Sequence, residues 1–156
     1  MLSDFLQPIN NHLLEEFYSP NKYAKEYIHL YQEKRTLENY SVAILGAEDY
    51  RGYIANKGTE KAADEVRKQL YQCSAFTNGM QLLDLGNIKA GATYVDTLVA
   101  LVETLHDLFK HNIITIIIGG DAALSSAQFK AYEIFENPIS VAQIASKVVW
   151  ENSDVD

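Results

Sequence analysis

Apolar positions along this chain follow two rhythms. Short continuous runs end at glycine, and longer stretches repeat at helical spacing. The runs are residues 41–46 (SVAILG), 81–85 (QLLDL, then Gly86) and 113–118 (IITIII, then Gly119-Gly120). Unbroken apolar runs closed by glycine predict parallel strands buried on both faces. Between them, Ala62, Ala63, Val66, Leu70 and Cys73 share one stripe behind Thr59, a candidate cap. Val95, Leu98, Val99, Val102, Leu105 and Phe109 share another, opened by Asp96. Lys110 and His111 close that helix, where cations suit the dipole. Leu124, Ala127 or Gln128, Ala131 and Phe135 are in phase after the last glycine pair. Ahead of all this, Ser19-Pro20 reads as a helix start, with Ala24, Tyr27, Ile28 and Tyr31 on one face. Residues 139–150 read as a fourth strand with an interruption.

The order is β-α-β-α-β-α-β behind a helical lead-in. Strands alternating with helices predict an α/β fold, a three-layer αβα arrangement around a parallel sheet. One domain is expected over residues 1–156, a helical arm at 1–40 and the α/β part at 41–156. No internal repeat or low-complexity tract interrupts it.

Charge narrows the partners. The net charge is -8 and the pI near 4.9, which argues against nucleic acid or an anionic membrane as a partner, since both need a basic patch. The longest apolar run is far too short to span a bilayer. The N-terminus, MLSDFLQPINNHLLEEF, has acids and Asn where a signal peptide needs a basic start and an unbroken apolar run. The single cysteine excludes an internal disulfide and a cysteine-built zinc site. A cytoplasmic protein is expected.

In parallel sheets, ligands gather beyond the C-terminal strand ends. Glu48, Asp49, Asn87 and Asp121 fall there and are the candidates to line a crevice. The plainer reading is tight turns and helix caps, with Asp121 capping the helix behind it. No GxGxxG, GxxxxGK[ST] or GxSxG is present. His106 and His111 are five apart and do not face a common metal. Cys73 lies on an apolar stripe and reads as core. No residue receives a catalytic role.

Four segments in order carry a resemblance. IIIGGDAALSSAQFKAYE resembles the ureohydrolase segment in which a buried strand ends in Gly-Gly-Asp-His-Ser before a helix. SVAILGAEDYRG looks like that family's first strand and exit loop. NKGTEKAADEVRKQLY is similar to its following helix start, with Arg67 at the family's Arg, and LLDLGNIKAGATYVDTL looks like its "DLG" strand, extended as in formimidoylglutamase-like members. The resemblance spans roughly residues 40–135.

The resemblance implies the N-terminal half of an arginase-like α/β domain and, for the family, hydrolysis of guanidino or amidino carbon–nitrogen bonds. Two manganese ions would supply a hydroxide nucleophile near neutral pH. This chain departs from that pattern. After Gly119, Gly120 and Asp121, Ala122 stands where the family has its first metal-binding His, and alanine has no lone pair to donate. The tail SVAQIASKVVWENSDVD lacks the family's Asp-Ala-His-x-Asp. No metal is expected on this chain, and a piece of a longer protein is expected. The edge of the third strand would be open, which invites self-association. A degenerate, non-catalytic member is the first reading. The N-terminal half of an active metal-dependent hydrolase is the second. An unrelated flavodoxin-like domain, binding an anion at the Gly119-Gly120 turn, is the third.

Overall fold

The computed structural model describes residues 2–33, 36–52, 54–73, 79–135, 138–142 and 144. The three apolar runs form the centre of one sheet: β3 (Val42–Gly46), β4 (Leu82–Ile88) and β5 (Ile114–Ile118). β3 lies between the other two, parallel to both, pairing Val42 with Leu82 on one side and with Ile114 on the other. Strand alternation sends Ala43 and Leu45 to one face and Val42 and Ile44 to the other.

Helices cover both faces. α1 (Leu2–Phe5), α5 (Tyr94–Lys110) and α6 (Ser125–Tyr132) pack on the side of Ala43, Leu45, Leu83 and Leu85. The other side carries α2 (Asn11–Leu13, continued by a π-helical turn to Tyr18), α3 (Lys22–Tyr27) and α4 (Ala62–Leu70). This is the expected three-layer αβα arrangement with a mostly parallel sheet.

The N-terminal arm differs from the expected plain helix. It contributes two short strands, β1 (Leu6–Gln7) and β2 (Ile28–Leu30), both on the edge of β4 away from β3. β1 runs antiparallel to β4, which makes the sheet mixed. Ser19-Pro20 does not start the arm's helix; Asn21 caps it, accepting from the Tyr23 and Ala24 amides at 3.0 and 3.4 Å. The helix stops at Tyr27 because an open β4 edge needs backbone partners more than Ile28 needs a helical one. Tyr18 Oη locks the switch by donating to the Ile28 carbonyl at 2.7 Å.

Two helical stripes are rotated from their expected positions. On α4 the buried residues are Ala63 and Arg67, followed by Tyr71, while Val66 is 44 % exposed. Thr59 lies inside a 3₁₀ run and α4 starts at Ala62 behind Lys61. Cys73, expected in the core, is exposed. On α5, Thr97, Leu101, Thr104 and Leu108 point inward and Val95 and Val99 outward. Threonine can be buried there because Thr104 Oγ1 donates to the Ala100 carbonyl, satisfying itself within the helix. α5 begins one turn earlier than Asp96, at a capping box formed by Thr93 and Asp96. Residues 139–142 and 144 form no strand, and the rest of the expected fourth strand lies outside the described residues.

Candidate functional site

The four strand-end candidates fall into two polar networks. The first lies on the α4 side and is built around Arg67, which is fully buried. Its guanidinium donates to both Asp84 carboxylate oxygens, Nε to Oδ2 and Nη2 to Oδ1 each at 3.0 Å. Nη1 donates to Asn87 Oδ1 at 2.6 Å, and Nη2 also reaches the Gly86 carbonyl at 2.8 Å. Asp84 is saturated further by Tyr71 Oη at 2.8 Å and the Gly86 amide at 3.0 Å. Desolvation disfavours a buried guanidinium, but Asp84 more than reverses that and raises its pKa. Tyr71 is also pushed well up, by burial and then by the adjacent Asp84 charge, and stays protonated as a donor.

Asn87 links this network to Glu48, its Nδ2 donating to Glu48 Oε2 at 2.9 Å. Gly46 makes the close approach possible, since a Cβ there would fall on Asn87 Oδ1 and the Ala63 methyl. Burial raises the Glu48 pKa first and the Asp64 carboxylate adds to it. Arg67 and the α4 amides of Asp64 and Ala63 pull the other way and do not restore it; Oε1 completes no hydrogen bond of good geometry. A carboxyl with a raised folded pKa loses stability as pH rises from its unfolded pKa through the folded one. Glu48→Gln is therefore expected to raise Tm at neutral pH and to leave it unchanged below about pH 4, near the unfolded glutamate pKa. Melting curves across pH check this; a loss of stability at pH 7 would contradict the assignment.

The second network lies towards α5. Arg51 grips Asp49 through Nη2 to Oδ2 at 2.6 Å and Nε to Oδ1 at 3.0 Å. The same guanidinium donates to the Gly91 carbonyl at 3.0 Å and to Thr97 Oγ1 at 3.1 Å, tying the loop before α5 to the end of β3. Burial would raise the Asp49 pKa, but the Arg51 and Thr97 hydrogen bonds outweigh it and hold the carboxylate below its usual value. Asp121 is buried and caps the turn behind it, Oδ1 accepting from the Ala123 amide at 2.9 Å. Tyr94 Oη donates to the same oxygen at 2.9 Å, and burial followed by that carboxylate pushes the phenol pKa up. The Asp121 amide donates to the Asp49 carbonyl at 3.3 Å, which joins the two loops. Gly119 and Gly120, at φ +94° and +78°, make the turn that sets Asp121 there. Ala122 opens the 3₁₀ turn after it and is exposed.

Glu48 and Asn87 are thus brought together, as are Asp49 and Asp121, but one member of each pair, Asn87 and Asp49, is taken up by an arginine, Arg67 and Arg51. Two surface hollows flank the arm instead. One is lined by Glu16, Phe17, Lys22 and Gln72, the other by Leu6, Ile9, Tyr31 and Glu33. Sequence reasoning did not single out Asp84, Tyr71, Arg51 or Tyr94. A signal for one pair was present: an acid inside the apolar run QLLDL and an arginine in phase with Ala63 are opposite charges in two buried patterns.

The comparisons with known proteins agree with this architecture. The family model for the arginase family matches residues 40–146. No curated protein matches. Formimidoylglutamase from Bacillus subtilis superposes with a TM-score of 0.61 at 21 % identity, over 75 % of this chain and 39 % of that one. Formiminoglutamase from Trypanosoma cruzi, solved with Mn²⁺, does so with a TM-score of 0.57 at 19 % identity, over 67 % of this chain and 39 % of that one. The chain therefore spans about two fifths of the length of these solved relatives. Their shared fold and the family match displace the flavodoxin-like alternative. The match begins just before β3, runs through the whole β3–β4–β5 core and extends beyond α6, and the chain belongs to the arginase family.

Proposed function

We propose that this chain is a non-catalytic arginase-family scaffold whose strand-end polar groups serve the fold. The observation that carries this reading is the state of the Gly119-Gly120-Asp121-Ala122 turn. By the family resemblance Ala122 stands at a metal-binding histidine, and Asp121 is engaged by the Ala123 amide and by Tyr94. Asp49 and Asp84 are likewise neutralised by Arg51 and Arg67. Among the described residues no three His, Cys, Asp or Glu cluster closely enough to hold a metal. The donors among the described residues do not make up the family's two-manganese site. Among the described residues no helix is long and apolar enough to cross a membrane.

A ligand that binds only the folded state stabilises it by mass action, by about 2.7 kcal/mol at a hundredfold excess over Kd, and so raises Tm. Millimolar Mn²⁺ is expected to leave the Tm of this chain unchanged, and elemental analysis to find no stoichiometric metal. A clear upward shift with bound Mn²⁺ would overturn the scaffold reading. The second reading, the N-terminal half of an active C–N hydrolase, draws on the manganese-bearing Trypanosoma cruzi relative, of which this chain matches only 39 %. It requires a longer chain to bind Mn²⁺ and hydrolyse a linear amidine, despite Ala122.

A further inference from the structure

The arm leaves a hollow where its two strands part along the edge of β4. β2 accompanies β4 as far as Asp84, where the Tyr31 amide donates to the Asp84 carbonyl at 2.9 Å. β1 comes from the opposite end and pairs with Ile88 and Asn87. Its next residue is Pro8, which has no N–H and stops the ladder short of Gly86. Among the described residues, Leu85 and Gly86 thus have no strand partner on that side. The opening is a cavity of about 340 Å³, within the range of small-molecule sites. Leu6, Ile9, Leu14 and Leu30 form its walls, Leu6 from the core layer on the α5 side and the others from the layer on the α4 side. Half-buried Tyr31 and exposed Glu33 give it a polar rim.

That rim carries one sign of charge. No lysine, arginine or histidine lines the hollow. Asp84 also borders it, but its carboxylate is already taken by Arg67 and Tyr71. Glu33 is the lining charge left to a ligand. Ser3 Oγ donates to its Oε1 at 3.1 Å, which leaves Oε2. Tyr31 registers the negative surroundings: burial raises its pKa first, and the Glu33, Asp107 and Asp4 carboxylates add to it. Its hydroxyl therefore stays neutral, with an oxygen able to accept.

We propose that this hollow binds a primary alkylammonium, its charged head at the rim between Glu33 and Tyr31 and its chain along Leu6, Ile9, Leu14 and Leu30. An ammonium group has N–H donors and no acceptor, which matches a rim of oxygen acceptors. The Glu33 carboxylate takes one donor, the Tyr31 oxygen a second, and the third stays in water. A ligand anion would meet repulsion from Glu33 with no cation to offset it. The ion pair is exposed and adds modestly. The alkyl chain supplies most of the affinity, about fourfold for each CH₂ withdrawn from water. Such a ligand touches the arm and β4 together, so its binding holds the arm on the strand edge that it covers. The site lies on the arm, apart from both strand-end networks, and stands independently of the scaffold reading.

Hexylammonium is the probe, titrated into the isotope-labelled 156-residue chain and followed by amide chemical shifts. Saturable binding in the millimolar range or tighter is expected, with the largest shifts at Leu6, Ile9, Leu30, Tyr31 and Gly86 and little change around Glu48 and Asp49. Butylammonium, two CH₂ groups shorter, should bind about tenfold more weakly. Hexanol should bind several-fold more weakly than hexylammonium, and hexanoate more weakly still. Glu33→Gln should bring hexylammonium down to the affinity of hexanol, and Glu33→Lys should weaken it further. Residue 33 is exposed, so both variants should keep the far-UV circular dichroism of the wild type. Bound probe should also slow proteolysis ahead of Ala24. The proposal is overturned by an absence of saturable shifts, by shifts scattered over the surface or centred on the strand-end networks, or by hexanoate binding as well as hexylammonium. An affinity indifferent to both Glu33 variants overturns it too.

Discussion

Arg67→Ala is expected to destabilise the fold by about 3–5 kcal/mol, because removing one partner of a buried ion pair strands the other charge. Both side chains are fully buried, so water cannot take the lost partner's place. Asp84 would keep the Tyr71 hydroxyl and the Gly86 amide, which accounts for the lower end of that range. For a chain of this size each kcal/mol moves Tm by roughly 2–4 °C, so a drop of roughly 6–20 °C is expected in a thermal melt. Replacing both charges, Arg67→Met with Asp84→Leu, should recover part of the loss, as apolar substitutes for a buried pair often do. Recovery stays incomplete, since Tyr71 and Gly86 each lose an acceptor and an unsatisfied buried group costs about 1–3 kcal/mol. A single-variant loss under about 1 kcal/mol would mean that the pair is hydrated in solution.

Gly86→Ala carries the second large effect. Gly86 lies within β4 at φ +79°, where a side chain costs about 1–3 kcal/mol in backbone strain. A Cβ there would also fall on the Gln7 carbonyl oxygen, a backbone atom of β1 that cannot move without leaving the strand. The register step between Ile44 and Gly46 in the β3–β4 ladder falls at the same level of the sheet. Loss of β1 pairing is expected along with lower stability, by roughly 2–6 kcal/mol once overpacking of about 1–3 kcal/mol is added. Limited proteolysis reads the local part: cleavage ahead of Ala24 should accelerate more than cleavage within α5. Equal protection of the arm in variant and wild type would show that Gly86 serves composition and not conformation.

The three apolar runs identified their strands because continuous hydrophobicity needs no knowledge of neighbours, but only β3 and β4 are buried on both faces as expected; in β5, Ile114 and Ile116 are exposed. Asp121 was legible as a cap for the same local reason, its side chain reaching an amide two residues on. Cys73 and Val66 were misplaced because the α4 stripe was drawn through apolar residues alone. The helix turns Arg67 inward instead, and only the presence of Asp84 across the β4 interface makes that affordable. Val95 and Val99 of α5 were misplaced in the same way, since Thr97 and Thr104 replace them on the inner face once their hydroxyls are satisfied.

The sequence by itself determined the alternation of strands and helices, the glycine-ended turns and the position of the family's Gly-Gly-Asp turn with alanine after it. These depend on periodicity and backbone conformation, which are local. Tertiary structure alone decided that the arm would break its helix to pair with β4 and that Arg51 would claim Asp49 and Arg67 would claim Asp84. Each of these depends on which groups meet across distant parts of the chain, where desolvation and backbone pairing outweigh the preference of any one segment.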